Sequence, residues 1–83
     1  MSQGLMNLVF VQIRCKPGMA YKVADVLYER EICSSLYSTS GEWDLLAKIY
    51  PPKDADVGKF LNDNVQDIEG VARTLTTLTF KAF

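Results

Sequence analysis

The order in which two kinds of apolar pattern follow each other limits what this chain can fold into more than any other feature. β-branched and aromatic runs, or apolar alternation, predict strands over residues 5–14, 32–39, 43–50 and 71–80. Apolar residues three and four apart predict helices over residues 19–30 and about 54–65. The element order is therefore β-α-β-β-α-β, and a chain of 83 residues has room for one domain of this size.

The residues at the ends of these segments support the assignment. Pro17 and Gly18 break the first strand, and a proline there suits the start of a helix, where its missing N–H costs nothing. The first helix has one buried stripe, namely Ala20, Val23, Ala24 and Leu27. Asp54 or Asp56 is expected to cap the second helix. The stripe of that helix is Val57, Phe60, Leu61 and Val65, and Ile68 is expected to turn inward after it.

Right-handed crossovers around this element order predict an α+β fold of the ferredoxin-like kind. It has a four-stranded antiparallel sheet with two helices on one face. The other face should then alternate apolar with polar residues, yet the first and third strands are apolar on both sides. A second apolar face on so small a domain predicts association. We expect two sheets to pack face to face in a barrel-like dimer with Leu8, Phe10 and Leu46 at the interface. The alternative is that these side chains pack under the termini of one chain.

Composition excludes several classes of function. With 9 basic and 10 acidic residues the formal net charge is -1, which gives no attraction to nucleic acid or to an anionic membrane. The chain has no histidine, so histidine-based nucleophilic triads and histidine-ligated metal sites are excluded. Cys15 and Cys33 are too few for a structural zinc site and are expected to be reduced thiols. We expect no metal, no cofactor and, without a signal-peptide pattern, a cytoplasmic protein.

The central hairpin resembles a known family. Residues 40–49, Ser-Gly-Glu-Trp-Asp-Leu-Leu-Ala-Lys-Ile, resemble the G-x-x-D-apolar hairpin of the Lrp/AsnC effector-binding domain, also called the RAM domain (regulation of amino-acid metabolism). Residues 68–71, Ile-Glu-Gly-Val, resemble its I-x-G-V segment before the last strand. Residues 73–77, Arg-Thr-Leu-Thr-Thr, resemble its R-T-x-T segment. Pro17-Gly18, which follows the Val-Phe-Val-Gln-Ile strand, also resembles the family pattern. The resemblance covers about residues 5–82.

This resemblance implies a non-enzymatic, effector-binding regulatory module. Full-length family members carry an N-terminal winged helix-turn-helix that binds DNA, whereas only a few residues precede the first strand here. The chain is therefore expected to be a stand-alone domain over residues 1–83, with no direct contact to nucleic acid or membrane. The family implies homodimers, further assembly such as a tetramer of dimers, and an amino-acid effector in clefts between dimers. The domain is expected either to act alone as an amino-acid sensor or buffer, or to assemble with full-length family regulators.

A zwitterionic ligand needs donors for its carboxylate and acceptors for its ammonium. Exposed N–H groups at the Gly41 turn offer donors, and Asp44 offers an acceptor, unless it only caps the turn. Thr74 and Thr76 share a strand face and match the family's threonines, and their hydroxyls donate and accept. The alternative for both threonines is that they fill a solvent-facing strand. Further candidates are Ser40, Tyr50 and Trp43, of which Trp43 would alternatively be a packing anchor between dimers.

Two other functions fit the same architecture, because a fold does not determine a function. One is a small cofactor-independent enzyme of the dimeric α+β barrel type, such as a monooxygenase or an isomerase. The absence of histidine counts against many such enzymes. The other is a structural partner that binds no ligand and associates through its apolar sheet face.

Overall fold

A computed structural model describes residues 7–83 and has the predicted element order. The strands are β1 (Val9–Cys15), β2 (Cys33–Ser38), β3 (Leu45–Ile49) and β4 (Val71–Leu78). The helices are α1 (Ala20–Arg30) and α2 (Val57–Leu61), and α2 continues into a π-helical turn over Asn62–Gln66. The prediction is confirmed in type and order, with shorter strands. Residues 5 and 6, where the first strand was predicted to begin, lie outside the described residues.

The four strands form one antiparallel sheet in the order β2-β3-β1-β4. Strand β1 is central, and its Val11 is paired with Ala47 of β3 and with Thr76 of β4. Because directly paired residues point to the same side of a sheet, this register fixes which side chains share each face. The arrangement is the ferredoxin-like fold that the element order predicts.

The hydrophobic core lies between the sheet and the helices. Val23 and Leu27 of α1 are fully buried, as the stripe predicts, while Ala20 and Ala24 pack beside them and are partly exposed. The sheet contributes mainly Val9, Val11, Ile13, Leu45, Ala47 and Ile49. Leu61, Val65 and Ile68 complete the core from the second helix and the segment after it. Ile68 is 5% exposed, so its predicted inward position is confirmed.

The second helix differs from the prediction of a regular helix to residue 65. Asp56 caps it, since its carboxylate accepts a 3.1 Å hydrogen bond from the N–H of Lys59. The α-helix ends at Leu61, and the next turn is π-helical. There the Asn64 side chain donates to the carbonyl of Phe60 at 2.9 Å, taking the acceptor that an α-helical backbone N–H would use. No helix within residues 7–83 is long and apolar enough to cross a membrane.

The sheet face away from the helices, called here the outer face, is partly apolar. Leu46 is paired with Tyr37 on one side and Gln12 on the other, and Gln12 is paired with Leu75. Tyr37 is 57% and Leu75 is 49% exposed. The second face is therefore apolar only in part, because Gln12, Lys48 and Thr77 share it, and the dimer that it would form stays a prediction.

The three residues predicted for the dimer interface differ in how much surface they offer. Phe10 and Leu46 lie on the outer face and are half-buried. Leu8 precedes β1 and is only 8% exposed within the single chain. Phe10 and Leu46 therefore offer more surface to a second copy than Leu8 does.

Candidate functional site

The turn between β2 and β3 is closed by hydrogen bonds within the hairpin. The N–H of Thr39 donates to the carbonyl of Asp44, and the Thr39 hydroxyl donates to the carbonyl of Trp43, both at 2.9 Å. Gly41 has φ 92°, a conformation that favours glycine. A Cβ at Gly41 would meet no described atom within 4 Å, so the backbone angle and not space accounts for the glycine. Ser40 and Gly41 are exposed to an approaching ligand.

Asp44 connects this turn to the central strand. Its Oδ2 accepts a 2.8 Å hydrogen bond from the N–H of Cys15, and its own N–H donates to the carbonyl of Ile13 at 2.8 Å. Asp44 therefore has a structural role, but the N–H group that donates to its carboxylate lies on β1 and not in the turn, where the capping alternative would place it. Among the described residues, Cys15 alone donates to this carboxylate, so one oxygen stays available to a ligand.

Two arginines that the candidate set did not include lie beside the turn. Arg14 Nη1 donates to the carbonyl of Glu42 at 2.7 Å, and Arg73 Nη2 forms an ion pair with Glu42 Oε2 at 2.7 Å. The Arg73 guanidinium lies 5.2 Å from the centroid of the Trp43 ring. Trp43 is half-buried and contacts this cation. A sequence signal existed for Arg73, which opens the R-T-x-T segment, but none marked Glu42.

Thr74 and Thr76 point to the helix side of the sheet. Thr74 is paired with Ile13 and Thr76 with Val11, both core residues, and both threonines are half-buried. The alternative of a solvent-facing strand is therefore wrong for them. Gln66 of the π-helical turn donates from Nε2 to the Thr74 hydroxyl at 3.2 Å. No sequence pattern points to Gln66, because its position depends on how the π-helical turn packs.

A cavity of about 230 Å³ lies beside this pair. It is lined by Gln66, Val71, Ala72, Arg73 and Thr74. Its lining combines an amide, a hydroxyl and a cationic residue at the free edge of β4. These groups can donate to and accept from a small polar ligand.

The structure gathers only some of the candidates at one place in the chain. Ser40, Gly41 and Asp44 share the β2–β3 turn. Thr74 lies two strands from Leu45 with β1 between them, a separation of about 10 Å at the usual strand spacing. Tyr50 follows the far end of β3, about 20 Å from Asp44 for a strand of this length. A ligand of amino-acid size that touches the whole set would have to draw residues from more than one chain.

Two acidic residues outside the turn form surface ion pairs. Asp63 pairs with Lys59 at 2.9 Å, and Asp67 pairs with Arg30 at 2.7 Å. Both cysteines are free thiols, and burial raises the pKa of each. Within residues 7–83 no group of three or more cysteine and acidic side chains is placed to hold a metal ion. The polar groups that the described residues bring together are therefore those of the β2–β3 turn and of β4 with Gln66.

Comparison with known sequences gives a direct family assignment. Residues 8–83 match the profile of the Lrp/AsnC ligand binding domain. The chain is 34% identical over 74 residues to the HTH-type transcriptional regulator FL11 of Pyrococcus furiosus, covering 89% of this chain and 48% of that protein. It is 32% identical over 78 residues to FL11 of Pyrococcus abyssi, covering 94% of this chain and 51% of that protein. The chain thus spans about half the length of these curated relatives.

Solved structures agree with this assignment. The crystal structure of TTHA0845 from Thermus thermophilus superposes with a TM-score of 0.83 at 27% identity, covering 94% of this chain and 98% of that one. The structure of E. coli AsnC has a TM-score of 0.79 at 19% identity, covering 90% of this chain and 51% of that one, and supports the fold alone. The chain belongs to the Lrp/AsnC ligand-binding domain family.

Proposed function

We propose that the chain is a non-enzymatic effector-binding module that binds an amino acid and thereby modulates transcription or amino-acid metabolism. The observation that carries the proposal is the match of residues 8–83 to a ligand-binding domain of transcription regulators. The polar surface around the β2–β3 turn and β4 supports it, because it offers donors and acceptors. An effector changes the behaviour of such a module only if it binds two states of it with different affinity.

In this proposal the functional unit is a dimer formed through the outer face. Phe10 and Leu46 lie at its centre, with the exposed Tyr37 and Leu75 beside them and Leu8 at the edge. Burying this apolar surface supplies the drive for association. Dimers associate further, as a tetramer of dimers or with full-length family regulators, and the clefts between dimers hold the effector.

The ligand is held by groups from more than one chain. The turn at Ser40 and Gly41 offers N–H donors to the effector's carboxylate, and the free oxygen of Asp44 accepts from its ammonium. Thr74 and Thr76 contribute from β4, and Tyr50 contributes from the far end of β3. The separations within one chain support this sharing, since about 20 Å divide Asp44 from Tyr50.

Thermal unfolding with each of the twenty amino acids tests the proposal. A ligand at 100 times its Kd stabilises the protein by about 2.7 kcal/mol, so one amino acid or a small related group should raise Tm clearly. Thr76→Ala should abolish the rise. Thr77→Ala is the matched control, because it removes the same hydroxyl from the same strand on the opposite face.

The result that would contradict the proposal is the absence of a rise in Tm with every amino acid. An equal loss of response in Thr76→Ala and Thr77→Ala would refute the proposal that the β4 threonines bind the effector. Size-exclusion chromatography with light scattering tests the assembly separately. A monomer at micromolar concentration would refute the dimer, and Leu46→Asp should convert a dimer into monomers.

A further inference from the structure

We propose that Arg14 and Arg73 form a site for the carboxylate group of a small molecule, and that Glu42 occupies this site when no ligand is bound. The inference deepens the proposed function and rests on it for the assumption that the ligand is the effector. The arrangement of the two arginines stands without that assumption.

The strand register places two like charges directly opposite each other. Arg14 of β1 is paired with Arg73 of β4, and both are exposed at the end of the outer face beside the β2–β3 turn. Arg14 lies four residues along β1, about 13 Å, from Phe10 at the centre of the proposed dimer contact. Among the pairs of β1 with β4 this one alone joins two charged residues. Like charges in directly opposed positions destabilise a strand pair. An anion that contacts both guanidinium groups would remove this repulsion.

Glu42 of the neighbouring turn supplies a carboxylate to Arg73 and a neutral carbonyl to Arg14. Its carboxylate lies 2.7 Å from Arg73 Nη2, and its carbonyl accepts from Arg14 Nη1 at 2.7 Å. The Glu42 and Arg73 side chains are 60% and 59% exposed, and ion pairs exposed to this degree contribute little net free energy. A carboxylate from a ligand can therefore replace that of Glu42 at small cost.

Trp43 holds one of the two cations in place. Its ring lies 5.2 Å from the Arg73 guanidinium, within the range of a cation–π contact. A guanidinium restrained in this way loses less conformational entropy when it binds a carboxylate. Trp43 is the one tryptophan of the chain, so its fluorescence reports on this site alone.

The local charge favours a carboxylate over a phosphate. The single carboxylate of Glu42 contacts Arg73 only, while Arg14 contacts the neutral Glu42 carbonyl. The two guanidinium groups therefore carry one positive charge in excess, which a monoanion balances. A phosphate carries nearly two negative charges at neutral pH. Asp44, in the same turn, adds a further negative charge that opposes a dianion. Arginine pairs also bind the planar carboxylate in a bidentate manner.

Titration of Trp43 fluorescence at constant ionic strength tests the site with acetate, propionate and inorganic phosphate as probes. The wild-type protein should show a saturable change with acetate and propionate, which are both monoanions. Arg14→Gln, which leaves Trp43 and Arg73 in contact, should bind at least about tenfold more weakly, as expected for a lost charged hydrogen bond. Glu42→Gln removes the internal competitor and should bind about threefold or more tightly.

Lys22→Gln is the matched control, because it removes one positive charge from the exposed side of α1, away from the turn and from the outer face. Its affinity should stay within about twofold of the wild type. An equal loss in Lys22→Gln and Arg14→Gln would overturn the site in favour of general charge attraction. Weaker binding in Glu42→Gln, tighter binding of phosphate than of propionate, or no saturable change up to about 50 mM would each overturn it.

The two proposals fail in distinguishable ways. If carboxylates act at Trp43 while no amino acid raises Tm, the arginine site stands and the amino-acid effector does not. If an amino acid raises Tm while neither it nor the carboxylate probes change Trp43 fluorescence, the effector proposal stands and the arginine site is refuted.

Discussion

The carboxylate of Asp44 accepts a 2.8 Å hydrogen bond from the backbone N–H of Cys15, which lies 29 positions earlier in the chain. Together with the bond from the Asp44 N–H to Ile13, this contact fastens the β2–β3 turn to the end of β1. A residue proposed to meet the effector therefore also holds the turn. Its substitution affects stability and binding together, and two different substitutions are needed to separate the effects.

Asp44→Ala should lower the free energy of unfolding by about 1–2 kcal/mol. The partly buried N–H of Cys15 then loses its acceptor, and an unsatisfied donor of this kind costs about that much. Asp44→Asn keeps an acceptor oxygen and should lose less than half as much. Urea unfolding of the three proteins measures this, and equal stability of Asp44→Ala and wild type would show that the contact contributes nothing.

Gly70→Ala should destabilise the fold by at least about 2 kcal/mol, because a strained backbone angle and a clash combine. Gly70 has φ 104°, and an added Cβ would lie 2.9 Å from atoms of both Met19 and Val23. Gly41→Ala is the control for the angle alone, since φ is 92° there and no described atom lies within 4 Å of the added Cβ. Denaturant unfolding should find the smaller loss at Gly41. Equal losses would show that the contact of the added Cβ with Met19 and Val23 does not destabilise the fold.

The element order and the core could be predicted because their signals are local. The spacing of Val23 and Leu27 on one helix stripe, and of Val11 and Ile13 on one strand face, identifies the buried sides without knowledge of the rest of the chain. The glycine turn at Gly41 was found in the same way, from residues next to each other.

The contacts that shape the candidate site could not be predicted from such local patterns. The pairing of Arg14 with Arg73 depends on the register of β4, which shifts between residues 14 and 15 of β1. The placement of Gln66 against Thr74 depends on the π-helical turn, in which the Asn64 side chain donates to the carbonyl of Phe60. A threonine-rich strand suggested a solvent-facing side, but its position under the second helix half-buries Thr74.

The ion pair between Arg30 and Asp67 should make the stability of the fold depend on pH in the acidic range. The hydrogen bond from Arg30 holds the pKa of the Asp67 carboxyl below its ordinary value of 3.8. A carboxyl with a lowered pKa in the folded state stabilises the fold above its unfolded pKa, and this contribution is lost as the pH falls below 3.8 and through the folded value. Asp67→Asn should therefore lower Tm slightly at pH 7, and this difference should shrink as the pH falls below 3.8.

A double-mutant cycle with Arg30→Gln isolates this interaction. The coupling between the two substitutions should be favourable at neutral pH and absent in acid. Arg30 also donates to the carbonyl of Asn64 at 2.7 Å, so the cycle is needed to remove that second contribution. A coupling that persists unchanged in acid would contradict the assignment of the pH dependence to Asp67.

The thiol of Cys15 should ionise only at a higher pH than an ordinary cysteine thiol does. Burial, and then the negative charge of Asp44, raise its pKa above 9.0. In a Cys33→Ala background, alkylation by iodoacetamide should therefore be at least about tenfold slower in the folded protein than in urea at pH 8, since the thiolate is the reactive form. Asp44→Asn removes one of the two causes and should shift the pH profile of Cys15 alkylation to lower pH.

Burial alone raises the pKa of Cys33, so its profile in a Cys15→Ala background should not move with Asp44→Asn. Peptide mapping by mass spectrometry measures both rates. A shift of equal size at the two thiols would show that Asp44 acts on the stability of the whole fold and not through its charge on Cys15.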